Sequence, residues 1–185
     1  MGDLHFELER YEPAIQEYEA ALKMQPDNSQ LCLNLGNVYY RLARYSEATD
    51  YYRKSVQTDP FYATARLMLG DALLTDRKAE EALPHLQTAM KLDPALQGGN
   101  AKLAKALAAV NRFEEAVREL EKATSEDKDG SLYYQLSSYY RKLGQTERAN
   151  HALQKSQELK KLALTQQQQK TVGSSKSGEA ARGNK

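Results

Sequence analysis

The stretch CLNLGNVYYRLARYSEATDYYRKSVQTDP, residues 32–60, decides the fold. Its inward residues recur at helical spacing in two runs separated by a short break. They are Cys32, Leu35, Tyr39 and Leu42 in the first run, and Ala48, Tyr52 and Val56 in the second. Because the break at residues 43–45 leaves room only for a tight turn, the stretch predicts two antiparallel helices, at residues 29–42 and 46–58.

The same pattern repeats along the chain. Pro26, Pro60 and Pro94 are spaced 34 residues apart. Two columns of small residues keep that interval, with 33 at the last step: Gly2, Gly36, Gly70, Ala104 and Ser137, and Ala14, Ala48, Ala82, Ala116 and Ala149. Small residues are needed where two helices approach closely, and proline ends a helix because it donates no backbone hydrogen bond. The chain is therefore a series of helix pairs.

This pattern resembles the tetratricopeptide repeat family, whose repeat places a large residue, Leu-Gly, Tyr, Ala, an aromatic residue and Pro in order. The second repeat matches it with Cys32, Leu35-Gly36, Tyr39, Ala48, Tyr52 and Pro60. The fourth repeat departs from it, with Ala104 for glycine, Leu120 for the aromatic residue and Lys128 for proline, and the fifth also lacks the proline. The resemblance implies an all-α solenoid, or superhelix, of antiparallel helix pairs and specifies no function.

We expect about four and a half repeats in a helical domain of residues 1–169. The units are 1–27, 28–61, 62–95, 96–129 and 130–160, with a cap extension at 161–169. A single long capping helix is expected over residues 147–169. The tail at 170–185 is rich in Gly, Ser and charged residues, which predicts disorder. The first helix, expected at residues 2–9, is shortened, as in a fragment of a longer protein.

Composition argues against several kinds of partner and site. The net charge of +1 gives no reason to expect nucleic acid or a membrane surface as the main partner. No apolar run reaches the roughly 18 residues that a membrane span needs. The N-terminus has no secretory signal and Cys32 is the single cysteine, so we expect a cytoplasmic protein without disulfides or a cysteine zinc site.

The sequence predicts neither an active site nor a cofactor. His5, His85 and His151 fall on different repeats, without a second ligand one helical turn away. Gly98-Gly99 lacks the Lys-Ser/Thr of a phosphate-binding loop. Acidic pairs such as Glu80-Glu81 lie at helix starts, where they favour the helix dipole. We therefore interpret the chain as a non-enzyme.

In this family the first helix of each pair lines a concave groove, so the residues opposite its core columns are candidate partner contacts. These predicted groove residues are Asn34, Asn37, Tyr40, Arg41, Leu67, Asp71, Leu74, Lys102, Lys105, Tyr134, Ser138 and Arg141. Tyr and Arg are enriched in binding hot spots. Leu33, Leu67 and Leu74 favour a functional surface, because they place apolar groups on a face expected to be wet. The groove becomes basic toward Lys105 and Arg141, so we expect a partner with an acidic end and an apolar middle.

Two specialised binding modes of the family are not matched. The carboxylate clamp of chaperone-binding members would require Lys and Asn where this chain has Leu33 and Asn37. An asparagine ladder would require asparagine at four equivalent positions, where this chain has Asn34, Met68, Lys102 and Gln135. The sequence therefore predicts a scaffold that binds an unidentified protein or peptide. Two alternatives remain open: a repeat arm of a larger enzyme or secretion machine, and self-association through an uncapped N-terminal end.

Overall fold

A computed structural model describes the backbone of residues 1–182 and the side chains of residues 1–168. This part of the chain contains helices only and divides into two compact units, Met1–Arg112 and a second unit that begins at Phe113. The first unit contains α1 (Gly2–Glu7), α2 (Tyr11–Met24), α3 (Ser29–Arg41), α4 (Tyr45–Thr58), α5 (Ala63–Thr75), α6 (Ala79–Leu92) and α7 (Gly99–Ala109). The second contains α8 (Phe113–Ala123), a 3₁₀ turn (Thr124–Glu126), α9 (Ser131–Lys142) and α10 (Thr146–Arg182).

The first unit is a stack of antiparallel pairs, α1/α2, α3/α4 and α5/α6, followed by α7. Each of α3, α5 and α7 packs against the second helix of the preceding pair. The predicted core residues Cys32, Leu35, Tyr39, Ala48 and Tyr52 are all buried. The unit boundary after Arg112 divides the predicted repeat at 96–129.

The small-residue column marks where the two helices of a pair approach most closely. A Cβ atom added to Gly36 would lie 2.5 Å from the ring of Tyr52, and one added to Gly70 would lie 2.5 Å from Leu86 Cγ. The contact repeats at Gly2, where the added Cβ would lie 2.5 Å from Tyr18. Glycine is required here for space, because each large side chain fills the position of the absent methyl group.

The turn within each pair has one backbone conformation. Residues Glu9, Ala43, Arg77, Asn111 and Gly144 all have left-handed φ angles, between 55° and 71°. The residue after each of them donates a backbone hydrogen bond to a carbonyl five residues earlier, as in Arg44 N to Tyr39 O at 2.9 Å. This closure satisfies carbonyl groups that the end of the first helix would leave unpaired.

The second unit replaces the missing proline with a capped loop. The Asp127 carboxylate accepts hydrogen bonds from the backbone N–H groups of Gly130 and Tyr133, both at 2.9 Å. Gly130 has a φ of 81°, and a Cβ atom there would lie 2.2 Å from the Ser156 carbonyl oxygen. Ser156 Oγ in turn donates to the Gly130 carbonyl at 2.6 Å. These contacts fix the start of α9 against α10.

The last helix is longer than the sequence predicts. α10 continues to Arg182, so the expected helix end at residue 169 is wrong as a backbone boundary. No proline follows Ala149, and Gly173 and Gly178 lower helix propensity without removing a backbone donor. The remainder of the predicted tail, residues 183–185, lies outside the described residues.

We predict that Tyr52→Ala lowers the free energy of unfolding by about 3–5 kcal/mol, because it removes a fully buried ring from the tightest contact of its pair. Tyr52 is 1% exposed. The matched control is Tyr134→Ala, which truncates a tyrosine that is 62% exposed and should change stability by less than about 0.5 kcal/mol. Urea denaturation measures both. Equal losses would contradict this assignment of core and surface.

Candidate functional site

A polar network crosses the exposed face of the first helices α3, α5 and α7. Tyr40 on α3 donates its hydroxyl to Asp71 Oδ2 on α5 at 3.3 Å. Lys102 on α7 donates to the same oxygen at 2.6 Å. The side chains of Asp71 and Lys102 are 16% and 28% exposed, so this ion pair is largely shielded from water. The network fixes three predicted groove residues relative to one another.

A second network occupies the same face at α1 and α3. The Tyr18 hydroxyl donates to Asp3 Oδ1 at 2.5 Å, and Asn34 Nδ2 donates to the same atom at 3.1 Å. One repeat further along, Tyr52 donates to Asn37 Oδ1 at 2.9 Å. The side-chain oxygen of Asn37 therefore accepts a hydrogen bond within the fold. Its NH₂ group is a donor, the type of group that a peptide carbonyl accepts from.

Asp71 lacks the bond from its paired helix that the equivalent residues have. Asp3, Asn37 and Asp71 occupy the same repeat position, and a tyrosine of the paired second helix bonds the first two. At the third position that tyrosine is replaced by Leu86, which has no hydroxyl. The bonds that Asp71 accepts come from Tyr40 on α3 and Lys102 on α7.

The tyrosine hydroxyls of these networks are held in the neutral, hydrogen-donating form. Burial raises the pKa of Tyr40; a hydrogen bond with Thr75 opposes this, and the Asp71 charge adds to it. Burial also raises the pKa values of Tyr18 and Tyr52, and the Asp3 carboxylate contributes at Tyr18. At neutral pH these side chains therefore act as fixed donors.

Three leucines expected on the wet face are core residues instead. Leu33, Leu67 and Leu74 are only 3%, 2% and 8% exposed. The assignment of Leu67 and Leu74 to the groove surface is therefore wrong. The residue pattern of a single helix identifies the side that faces away from its paired helix. It does not show that neighbouring helices in the stack bury residues on that side.

The other predicted groove residues are accessible to differing extents. Arg41 is exposed and donates to Glu9 Oε1 at 3.4 Å and to the Tyr11 hydroxyl at 3.5 Å. Lys105 on α7 is exposed. In the second unit, Tyr134, Ser138 and Arg141 are all exposed on α9. Several of the predicted polar residues are thus exposed, each within its own unit, but the sequence analysis missed the bonds that join Tyr40, Asp71 and Lys102 in the first unit.

The adjacent tyrosines Tyr39 and Tyr40 on α3 differ in exposure. Tyr39 is buried and stacks on Tyr51, with ring centroids 5.4 Å apart and planes 7° from parallel. Tyr40 is half-buried and packs edge-on against Tyr45 at 5.3 Å. Because Tyr40 also makes hydrogen bonds, we expect its truncation to cost more stability than that of a fully exposed residue.

A pocket of about 760 Å³ lies in the second unit on the side of α8 and α10. Tyr133, Tyr140, Glu121 and Arg148 are among its lining residues. Ala152, which occupies the repeat position of Tyr51, also lines it. The Tyr140 hydroxyl donates to the Glu121 carboxylate, and the Arg148 guanidinium lies 5.9 Å from the Tyr140 ring centroid.

The described residues contain no group of three or more His, Cys, Asp or Glu side chains arranged to hold a metal ion. His5, His85 and His151 lie on α1, α6 and α10. Burial raises the pKa of Cys32, which disfavours the reactive thiolate. Among the helices that the structure describes, none has both the length and the apolar composition needed to span a bilayer.

Comparison with protein families identifies the repeat. Four family profiles, described as TPR repeat or tetratricopeptide repeat, match residues 2–42, 33–96, 73–138 and 130–161 in succession. The chain belongs to the tetratricopeptide repeat family. This confirms the predicted all-α fold of antiparallel helix pairs. A search of curated protein sequences gave no significant match.

Solved structures of repeat proteins share this fold. The crystal structure of MamA is 24% identical, covers 87% of this chain and 88% of that chain, and gives a TM-score of 0.78. YrrB, described as a TPR protein with an unusual peptide-binding site, is 24% identical, with coverages of 90% and 88% and a TM-score of 0.77. MamA from Desulfovibrio magneticus RS-1 is 18% identical, with coverages of 86% and 95% and a TM-score of 0.76. At these identities the likeness concerns the fold alone.

We predict a favourable coupling between Asp71 and Lys102 of about 1 kcal/mol, because their contact is shielded from water. A double-mutant cycle with Asp71→Asn, Lys102→Met and the combined variant measures it in urea denaturation. The coupling should shrink in high salt. The exposed pair of Lys155 and Glu158, 3.3 Å apart, is the control and should show a smaller coupling. A coupling free energy of zero at low salt would show that the ion pair does not stabilise the fold.

We predict that ionisation of the Tyr140 hydroxyl in alkali lowers the free energy of unfolding. Burial, followed by the hydrogen bond to Glu121, raises the pKa of Tyr140 from 10.0 to about 12. Because the folded state favours the neutral phenol, its stabilising contribution is complete below the unfolded pKa and is lost as the pH rises through the folded pKa. Urea denaturation of Tyr140→Phe should therefore show a shallower loss of stability than wild type from pH 10 to about 12. Parallel pH profiles would contradict the raised pKa.

Proposed function

We propose that the protein is a non-catalytic scaffold that binds a protein segment, extended or helical, on the exposed face of its first helices. The carrying observation is the Tyr40–Asp71–Lys102 network, which holds polar groups of three successive helices at fixed positions. A surface fixed before binding loses little conformational entropy when a partner associates. Proteins of this family generally serve as such scaffolds.

The charges of this face suggest which end of a partner is acidic. In the first unit, Asp3 lies on α1, whereas Lys102 and Lys105 lie on α7. Asp71 neutralises Lys102, so Lys105 is the cation of α7 that we expect to meet a partner carboxylate. In the second unit, Arg141 on α9 presents a guanidinium, which can bind a carboxylate through two hydrogen bonds. A partner with acidic residues suits each of these groups.

Peptide carbonyl recognition is assigned to the amides of α3. Asn37 uses its oxygen for Tyr52, so its NH₂ group can donate outward. Asn34 is held from both sides, since Gln30 donates to its oxygen at 2.8 Å and its nitrogen donates to Asp3. Fixed amides of this kind recognise backbone groups without demanding a particular side chain.

The proposal places this scaffold in the cytoplasm, with neither nucleic acid nor membrane as its partner.

We predict that Lys105→Glu combined with Arg141→Glu weakens binding of an acidic peptide by about tenfold or more, because favourable charge contacts become repulsive. The probe is a peptide selected from a random-peptide display library against the full chain, with affinity measured by calorimetry. The salt dependence of binding should also become flatter in the double variant.

The control is Lys23→Glu combined with Lys91→Glu, which makes the same charge change on the second helices α2 and α6. This control should bind the selected peptide as wild type does. Unchanged binding by the Lys105/Arg141 variant, or equal weakening by both variants, would contradict the assigned face.

A further inference from the structure

Helix α1 carries an apolar stripe that faces solvent. Met1, Leu4 and Leu8 are 80%, 51% and 58% exposed. Their spacing of three and four residues places them on one side of a helix. The same segment also contains three polar or charged residues, Asp3, His5 and Glu7, so the apolar residues are confined to part of its surface.

The repeat positions of Met1 and Leu4 are buried in the later first helices, whereas that of Leu8 is held by Leu42, which is partly buried, and by Asp76, which is exposed. Leu35 and Val38 on α3 are fully buried, and so is Ala72 on α5, with Leu69 at 1% exposure. These helices pack against the second helix of the preceding pair. The register therefore identifies the stripe of α1 as a surface shaped to lie against the second helix of another pair.

The second unit contains a surface that such a helix could cover. A groove of about 730 Å³ lies between α9 and α10, with Tyr134, Leu153, Ala163 and Leu164 among its lining residues. Tyr134 is 62% exposed and Leu164 is 52% exposed. Leu33 and Leu67, which share the repeat position of Tyr134, are almost completely buried in the first unit. The groove therefore exposes a repeat position whose side chains are buried in the first unit.

Charge distinguishes this pairing from a contact between two α1 helices. The acids Asp3 and Glu7 accompany the α1 stripe, whereas Lys160 lines the groove and Lys161 follows it. Two α1 stripes facing each other would bring like charges together, whereas α1 on the groove brings opposite charges together. Asp129 also lines the groove and is committed to the Ser131 backbone N–H at 2.9 Å.

We propose that the α1 stripe of one copy docks in the groove between α9 and α10 of a second copy, in a head-to-tail contact. Each copy carries both surfaces, and the two surfaces differ, so the contact is heterologous. Asn150, Gln154 and Gln157 on α10 are exposed and polar, which makes this contact weaker than the internal stacking of the first unit. The association is therefore reversible and depends on concentration.

The test is sedimentation equilibrium of the full chain over a wide concentration range. The average mass should rise above the monomer value of 20.9 kDa as concentration increases. The head variant Leu4→Gln with Leu8→Gln should remain monomeric, and so should the tail variant Tyr134→Gln with Leu164→Gln. All four residues are exposed, so circular dichroism and urea denaturation should show an intact fold for both variants.

A mixture of the two variants is the decisive measurement. The tail variant keeps its α1 stripe and the head variant keeps its groove, so an equimolar mixture should form dimers and nothing larger. The matched control, Met24→Gln with Phe61→Gln, removes apolar side chains that are 85% and 79% exposed elsewhere and should associate as wild type does.

Three results would overturn the proposal. One is a wild-type mass that stays at the monomer value throughout the concentration range. Another is a tail variant that associates as strongly as wild type, which would indicate a contact between two α1 helices. The last is an equimolar mixture of head and tail variants that stays monomeric.

Discussion

The close approach of the two helices in each pair is the constraint on which the rest of the structure depends. At Gly36 and Gly70 the side chain of the paired helix occupies the place of a Cβ atom, so any larger residue would force the helices apart. Overpacking of this kind typically costs about 1–3 kcal/mol. The contact recurs at one interval, and it therefore sets the spacing at which successive first helices follow one another.

That spacing determines which polar groups can meet on the exposed face. Asp3 with Asn34, Tyr40 with Asp71, and Asp71 with Lys102 are all bonded pairs separated by 31 residues. These bonds satisfy side chains that would otherwise compete for water or for a partner. As a result, residues that we propose as partner contacts also contribute to stability, so a substitution at Asp71 carries a cost in folding.

The sequence predicted the fold well because repeat register carries information that one helix alone does not. Columns of small residues, together with the buried positions of Tyr39 and Tyr52, located the helix pairs to within about two residues at most ends. Leu67 and Leu74 were misplaced because burial by a neighbouring pair is a long-range effect. The end of α10 was missed because composition argues for disorder without supplying a residue that stops a helix. The separation of 31 residues was visible in the sequence and could have located the Asp71 network.

The turns within the pairs have a consequence for how the chain can vary. Five chemically different residues, Glu9, Ala43, Arg77, Asn111 and Gly144, adopt the same left-handed conformation. For a residue other than glycine this conformation costs about 1–2 kcal/mol, and packing of the adjoining helices must offset that cost. The turn is thus specified by backbone geometry, while its side chain is free to differ. Mutational drift can accumulate at these five sites while the spacing of the helices within each pair stays as it is.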